Sequence, residues 1–141
     1  MGDHVKIGQY STVSTWGEAP HPKIVIGDNV CIGAFNHITA INRIEIGDGT
    51  LIGKYVTITD NSHGQLSMEE LNVHPIKRNL YSKGGVKIGK NVWLGDKVTI
   101  LPGVSIGDGS VIGSNSVVSK DIPPLVIACG NPARVIKSIL K

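Results

Sequence analysis

One histidine, His63, stands in the stretch TDNSHG, at the point where a regular six-residue pattern stops and a polar segment begins. A neutral imidazole accepts protons near neutral pH, so histidine is the commonest general base in enzymes. Most loop histidines are simply solvated, and residue type alone therefore assigns no reaction to His63. Its place at a break in an otherwise regular chain makes it a candidate.

Residue types that bind metals are scattered along the chain. The five histidines keep no spacing typical of metal ligands; they are His4, His21, His37, His63 and His74. The two cysteines, Cys31 and Cys129, are far apart and form no CxxC pair. We therefore expect no metal, and we expect both cysteines to be reduced and buried, as in a cytoplasmic protein.

The composition fits a single folded domain, residues 1–141. Hydrophobic residues make up 40% of the chain and aromatic residues only 4%, so aliphatic side chains must fill the core. The net charge is +3, which fits a small anionic ligand. The basic residues are scattered along the chain, so they do not predict nucleic acid binding. No apolar run is long enough for a membrane span, and the first residues hold no signal-peptide core.

An aliphatic residue recurs at every sixth position, often followed by glycine. The second half holds an unbroken series: Ile88, Leu94, Ile100, Ile106, Ile112 and Val118. The first half holds two shorter series, separated by a slip of two residues: Ile26, Ile32 and Ile38, then Ile46, Ile52 and Ile58. Gly, Asn and Asp recur between them, and these residues tolerate left-handed backbone angles.

A period of six predicts short straight segments with a corner in each unit. Three units would close one triangular turn, with the aliphatic residue pointing inward and each turn stacked on the next. Hairpins with Asp-Gly turns are the alternative, but hairpins would not hold one phase over six units. The pattern therefore predicts an all-β solenoid.

This repeat resembles that of the hexapeptide-repeat acyltransferases, from about residue 24 to the C-terminus. The resemblance is strongest to the galactoside and maltose O-acetyltransferases and their polysaccharide-modifying relatives. It implies a left-handed parallel β-helix, a triangular prism of hexapeptide repeats; the spacing itself does not give the handedness. The same prism serves several roles, so the repeat specifies the fold better than the chemistry.

The interruption at about residues 60–86 is predicted to be one long loop ejected from a corner, since the repeat resumes in phase after it. In the resembling enzymes such a loop begins beside a catalytic histidine, and His63 is at the matching place. The resemblance implies that His63 takes a proton from the acceptor, which attacks acetyl-CoA directly. Asp60 is close enough in sequence to orient His63, although a backbone carbonyl could do so equally well.

The stretches VWLG, SVVSKDIPP and GNPARVI resemble the part of the family that binds coenzyme A. The resemblance implies a coenzyme site formed by Trp93, Ser114, Ser119, Lys120, Arg134 and Lys137. The cations would bind the phosphates, and Arg134 can bind two oxygens at once. Alternatively, they are ordinary surface cations. Asp96 departs from the family pattern, which often has a small residue at this position. The resemblance therefore does not fix the path that the coenzyme takes past Asp96.

The C-terminal segment, about residues 122–141, is predicted to cap the last turn. Its end, ARVIKSILK, has the pattern of a short amphipathic helix. Such a cap would cover a strand edge that otherwise promotes aggregation.

The resemblance also implies a homotrimer with active sites between subunits. A sugar-type acceptor would meet residues near the slip and in the loop, and the candidates are Asn36, Asn42, His74 and Tyr81. The two asparagines could equally form an asparagine ladder at the corners, and the two loop residues could simply face solvent.

The resulting hypothesis is a cytoplasmic, acetyl-CoA-dependent O-acetyltransferase that acts on a sugar of a surface polysaccharide or its precursor. An N-acetyltransferase of an amino sugar or nucleotide-amino-sugar remains open, because both acceptors must lose a proton. Other small hydroxylated or antibiotic-like acceptors also remain open. A non-catalytic β-helix scaffold is the alternative from another class, and a prism carbonic anhydrase would be revealed by bound metal.

Overall fold

The computed structural model describes residues 1–17 and 23–140, so that His21 and Lys141, the last residue of the predicted cap, lie outside it. Three sheets, parallel except for the last strand of sheet 1, wrap around one core. Sheet 1 contains β1 (Lys6–Ile7), β4 (Cys31–Ile32), β7 (Leu51–Ile52), β12 (Trp93–Leu94), β15 (Val111–Ile112), β17 (Val126–Gly130) and β18 (Ala133–Ser138). Sheet 2 contains β2 (Thr12–Thr15), β5 (His37–Ala40), β8 (Thr57–Thr59), β13 (Thr99–Ile100) and β16 (Val117–Val118). Sheet 3 contains β3 (Lys23–Ile26), β6 (Arg43–Ile46), β11 (Val86–Ile88) and β14 (Ser105–Ile106).

The chain visits sheets 1, 2 and 3 in turn, which makes the molecule a three-sided parallel β-helix. Within the later turns, Trp93 pairs with Val111 and Thr99 with Val117, each three six-residue units apart. The predicted all-β, six-residue solenoid is therefore confirmed. Its left-handed sense stays a prediction.

The aliphatic series predicted from the sequence forms the core. Paired side chains stack in three columns, one per sheet: Ile32, Ile52, Leu94 and Ile112; Ile38, Ile58, Ile100 and Val118; Ile26, Ile46, Ile88 and Ile106. All twelve are at most 4% exposed. Burial of one such side chain stabilises the fold by about 1.5–3 kcal/mol, so these columns supply much of the driving force.

Aspartate side chains at the corners form hydrogen bonds between successive turns. The side chains of Asp28, Asp48, Asp96 and Asp108 each accept a backbone N–H from the neighbouring turn, at 2.8–2.9 Å. Asp96, where the sequence departs from the family pattern, thus belongs to a structural series, and its partner is the N–H of Lys54.

The corner that follows sheet 1 also carries three aromatic residues with left-handed backbone angles, Tyr10, Phe35 and Tyr55 (φ 58°, 60° and 57°). An L-residue pays about 1–2 kcal/mol in this conformation, which is why Gly, Asn and Asp are expected there. The rings stack with centroids 5.3 and 5.0 Å apart. Such pairs contribute about 0.5–1.5 kcal/mol each, which offsets part of the backbone cost.

Between β8 and β11 the chain forms structure of its own. This segment holds β9 (Ser62–His63), two 3₁₀ helices (Met68–Glu70 and Pro75–Lys77) and β10 (Leu80–Tyr81). Glu70 accepts the backbone N–H groups of Gln65 and Leu66 at 2.7 and 3.1 Å. The apolar side chains of this segment between β8 and β11 point outward: Leu66, Met68, Leu71 and Ile76 are 62–83% exposed.

The C-terminal helix predicted from ARVIKSILK is wrong. Residues 133–138 instead form β18, which runs antiparallel to β17. The edge of β17 offers unpaired backbone groups, and the β-branched pair Val135 and Ile136 favours an extended chain. β18 thus covers the edge of β17 in sheet 1, and the capping of the whole last turn stays a prediction.

The cysteine prediction is half wrong. Both cysteines are free, but Cys31 is exposed and Cys129 only partly buried. Cys31 lies in β4 with its side chain on the outer face, because the next residue, Ile32, takes the inward position.

Candidate active site

His63 is held in a short antiparallel ribbon at the root of the loop. In this ribbon β9 pairs with β10, so that His63 lies opposite Leu80 and Ser62 opposite Tyr81. The side chain of His63 is exposed. The two ends of the loop are therefore tied together beside the candidate base, and His63 is accessible to a substrate.

Asp60 does not orient His63 as the sequence suggested. Its carboxylate is fully buried and accepts the backbone N–H groups of Ile41, Asn42 and Arg43 at 2.8, 2.9 and 2.8 Å. It also accepts a hydrogen bond from the side chain of Asn61 at 3.2 Å. Among the described residues no hydrogen bond joins Asp60 to His63. Its visible role is to fasten the turn at residues 41–43.

The two asparagines predicted to bind the acceptor differ in burial. Asn36 is 2% exposed; its amide donates to the carbonyls of Gly33 and Gly53 and accepts the N–H of Val56. The buried Asn36 side chain thus bonds to the backbone of its corner, an arrangement that does not support an acceptor role. Asn42 is exposed in the turn that Asp60 fastens, so its side chain is free to meet an acceptor.

A groove of about 290 Å³ joins the loop to the end of sheet 2. Its lining residues are Ser62, Gly64, Gln65, Leu66, Tyr81, Lys83, Leu101, Pro102 and Ser119. It brings together Tyr81, predicted for the acceptor, and Ser119, predicted for the coenzyme. His74, beside the second 3₁₀ helix, is exposed and does not line this groove.

Sequence reasoning missed several residues of this groove, notably Lys83, Leu66 and Pro102. The available signal was positional: Lys83 lies near the end of the loop, and Pro102 follows two residues after the inward-facing Ile100. A larger groove, about 650 Å³, lies on sheet 3 and contains none of the predicted site residues. The smaller groove is the better candidate because it adjoins the His63 ribbon.

The predicted coenzyme residues lie on different faces of one chain. Trp93 is 53% exposed on the outer face of sheet 1, in the paired row that continues through Val111 and Ile127 to Lys137. Arg134 also lies in β18, opposite Cys129.

The other three residues predicted to bind the coenzyme lie at corners of the later turns, directly after strands of sheets 1 and 2. Ser114 is exposed at the corner after sheet 1, while Ser119 and Lys120 are exposed after β16. Among the described residues, neither of the two grooves above contains all six of these side chains. This arrangement is what a site shared between neighbouring chains would require.

The electrostatics of the loop are local. The backbone N–H of Glu69 and the hydroxyl of Ser67 lower the pKa of the exposed Glu69 carboxyl.

Within residues 1–17 and 23–140, no three His, Cys, Asp or Glu side chains are grouped to hold a metal ion. In the same ranges, no helix is long and apolar enough to cross a membrane.

Comparison with known proteins identifies the family to which the six-residue repeat belongs. A family model described as "Bacterial transferase hexapeptide (six repeats)" matches residues 85–120. Over 118 residues the chain is 44% identical to a protein of Escherichia coli strain K12 named as a lipopolysaccharide biosynthesis O-acetyl transferase, WbbJ. The match covers 81% of this chain and 60% of that protein, so the chain spans about three fifths of that relative's length.

Two solved structures cover the whole chain. One is a hexapeptide-repeat acetyltransferase of Vibrio cholerae complexed with acetyl coenzyme A (TM-score 0.81, 28% identity, 71% of that chain covered). The other is a maltose O-acetyltransferase of Clostridium difficile 630 (TM-score 0.66, 30% identity, 70% covered). With the six-residue prism and the matched repeats, these similarities show that the chain belongs to the hexapeptide-repeat transferase family.

Proposed function

We propose that this chain is an acetyl-CoA-dependent acetyltransferase domain, residues 1–141, that acetylates a hydroxyl of a sugar. The observation that carries the proposal is the His63 ribbon, which presents an exposed imidazole at the root of the loop. Ser62 and Tyr81 of the same ribbon line the groove together with Ser119, while His63 itself is not a lining residue. The similar Vibrio cholerae enzyme was solved with acetyl coenzyme A, which supports the donor.

In the proposed reaction His63 takes the proton of the acceptor hydroxyl as its oxygen bonds to the acetyl carbonyl carbon. A backbone N–H would stabilise the oxyanion that forms. The carbon–sulfur bond then breaks, and the imidazolium returns the proton to the sulfur of the leaving thiolate. The products are the sugar ester and free coenzyme A, and no acyl-enzyme is needed.

The residues present fit a phosphate-bearing donor. Lys120, Arg134 and Lys137 are exposed, and in the described part of the chain none of the three is in an ion pair. Their charges are thus available for phosphate oxygens. Trp93 and Ser114 would line the path to the thioester.

We further propose a homotrimer of left-handed prisms, because the candidate residues lie on faces that a single chain does not bring together. Exposed apolar side chains support an assembly: Leu51 and Trp93 are neighbours on sheet 1, 45% and 53% exposed, and the ejected loop adds others. His74 and Asn42 would then meet an acceptor bound between chains.

The acceptor we propose is a sugar of a surface polysaccharide or its precursor, modified in the cytoplasm, where acetyl-CoA is available. The support is the similarity to the proteins named for lipopolysaccharide biosynthesis and maltose acetylation.

The test is release of free thiol from acetyl-CoA with a panel of acceptors: maltose, methyl galactoside and glucosamine. We expect a sugar hydroxyl to be acetylated, and hydroxylamine should cleave the product because it is an ester. A product that resists hydroxylamine would mean N-acetylation. No thiol release with any acceptor would contradict the proposed activity.

In the same assay, His63→Ala should lower turnover by about 10²–10⁴-fold, the usual contribution of a general base. Binding of acetyl-CoA should persist, because the phosphate-binding cations are untouched. His4→Ala, which removes an exposed histidine of the first turn that has no proposed role in the site, is the matched control. Full activity of His63→Ala would remove His63 from the mechanism.

A further inference from the structure

A buried carboxylate joins two parts of the candidate site. Asp60 is 0% exposed, and its two oxygens accept three successive backbone N–H groups, those of residues 41–43, at 2.8–2.9 Å. No ion pair compensates this charge among the described residues. The N–H dipoles therefore carry the compensation, in charge-assisted hydrogen bonds that are about twice as strong as neutral ones.

The three amides and Asp60 come from different turns of the prism. The amides belong to the slip turn, residues 41–43, which leads into the first residue of β6 and displays Asn42. Asp60 directly follows β8 on the next turn and stands three residues before His63. Its carboxylate is thus the link between the loop root and the slip turn.

A neighbouring side chain reinforces the link. The amide of Asn61 donates to Asp60 at 3.2 Å and to the carbonyl of Thr39 at 3.3 Å. Thr59 completes the root, because its hydroxyl accepts the N–H of Asn61 at 3.2 Å. The chain is therefore fixed to the preceding turn immediately before it enters the His63 ribbon.

We infer that Asp60 is a positioning residue, which sets the distance between His63 and the acceptor side formed by the Asn42 turn. This inference rests on the proposed function. A buried charge is costly, and hydrogen bonds to a neutral group would hold the turn less tightly. Displacement of a catalytic group by about 1 Å can cost about 10²-fold in rate, so such an anchor matters for turnover.

The test compares Asp60→Asn with Asp108→Asn. Both substitutions replace a carboxylate that accepts backbone N–H from a neighbouring turn, but Asp108 accepts one N–H, that of Lys90, and neither residue lines the groove beside the His63 ribbon. In Asp60→Asn the new NH₂ group would face backbone donors whichever way the amide turns. The acceptor is the one in the panel above that gives the fastest thiol release from acetyl-CoA.

For Asp60→Asn we expect kcat to fall about 10- to 100-fold and KM for the acceptor to rise, with the Kd for acetyl-CoA unchanged. Asp108→Asn should keep the wild-type kcat, KM and Kd at temperatures well below its Tm. A purely structural role would instead lower the Tm of both variants and leave kcat and KM alone. That result, in a folded Asp60→Asn protein, would overturn the inference.

If Asp60→Asn does not fold, Asn61→Ala carries the test, because it removes only the supporting side chain at a partly exposed position. Its kcat should fall by a smaller factor, about three- to tenfold, again with unchanged Kd for acetyl-CoA. Wild-type kinetics in Asn61→Ala would overturn the inference. An inactive wild-type protein would instead overturn the proposed function, and the inference with it.

Discussion

Buried polar side chains hold consecutive turns together, and Asn36 illustrates how. Its amide satisfies two carbonyls and one N–H on neighbouring segments, with N···O distances of 2.7–3.0 Å. Removal of such a group leaves buried backbone partners without hydrogen bonds, each at a cost of about 1–3 kcal/mol. Asn36 is therefore a stability residue and not an acceptor residue.

We predict that Asn36→Ala lowers the free energy of unfolding by about 2–4 kcal/mol, since several buried groups lose their partner at once. The affinity for acetyl-CoA at low temperature should not change. Denaturant unfolding checks the first result and calorimetry the second. Asn79→Ala, an exposed loop asparagine, is the control and should leave stability unaltered. Equal stability of the two variants would contradict the assignment.

At this scale the sequence predicts positions better than roles. His63 could be singled out because a break in a strict repeat is visible without a structure. The roles of Asp60 and Asn36 could not, because an acid near a histidine and an asparagine near a corner look alike whether they bind substrate or backbone. Only the hydrogen-bond partners distinguish these cases.

The strands of the prism are too short to be stable alone, and their stability comes from stacking. Ile100 is fully buried between Ile58 and Val118, while its neighbour Thr99 faces outward in the same strand. The alternation follows from strand geometry, in which successive side chains point to opposite faces.

Ile100→Asp should therefore lower the free energy of unfolding by more than about 4 kcal/mol, since it buries an unpaired charge. Thr99→Asp, on the outer face of the same strand, should have a much smaller effect. Thermal unfolding followed by circular dichroism compares the two. A well-folded Ile100→Asp protein with the wild-type Tm would refute the inward assignment of this column.

Elements with the six-residue period were predictable, whereas the C-terminal element was not. Residues 133–138 carry no glycine corner and no repeat, so an apolar spacing compatible with a helix was the available guide. The outcome depends on a distant partner, the free edge of β17. Tertiary pairing of this kind overrides local propensity.

For the whole molecule, the separation of the site residues on several faces leads to the proposed trimer. Neighbouring apolar side chains that are exposed favour an interaction surface, and Leu51 and Trp93 form such a pair on sheet 1. We predict that sedimentation velocity finds three chains per particle at micromolar concentration. Leu51→Asp, which puts a charge into this pair, should shift the particle toward monomers. A monomeric wild-type protein that still transfers acetyl groups would contradict the shared site.

The central claim is that the chain binds acetyl-CoA, and calorimetric titration of acetyl-CoA into the purified protein tests it most directly. We expect one coenzyme per chain and weaker binding by Arg134→Ala, which loses a phosphate partner. Lys87→Ala, an exposed cation on sheet 3, should bind as the wild-type protein does. No detectable binding at millimolar acetyl-CoA would contradict the account and favour a non-catalytic β-helix scaffold.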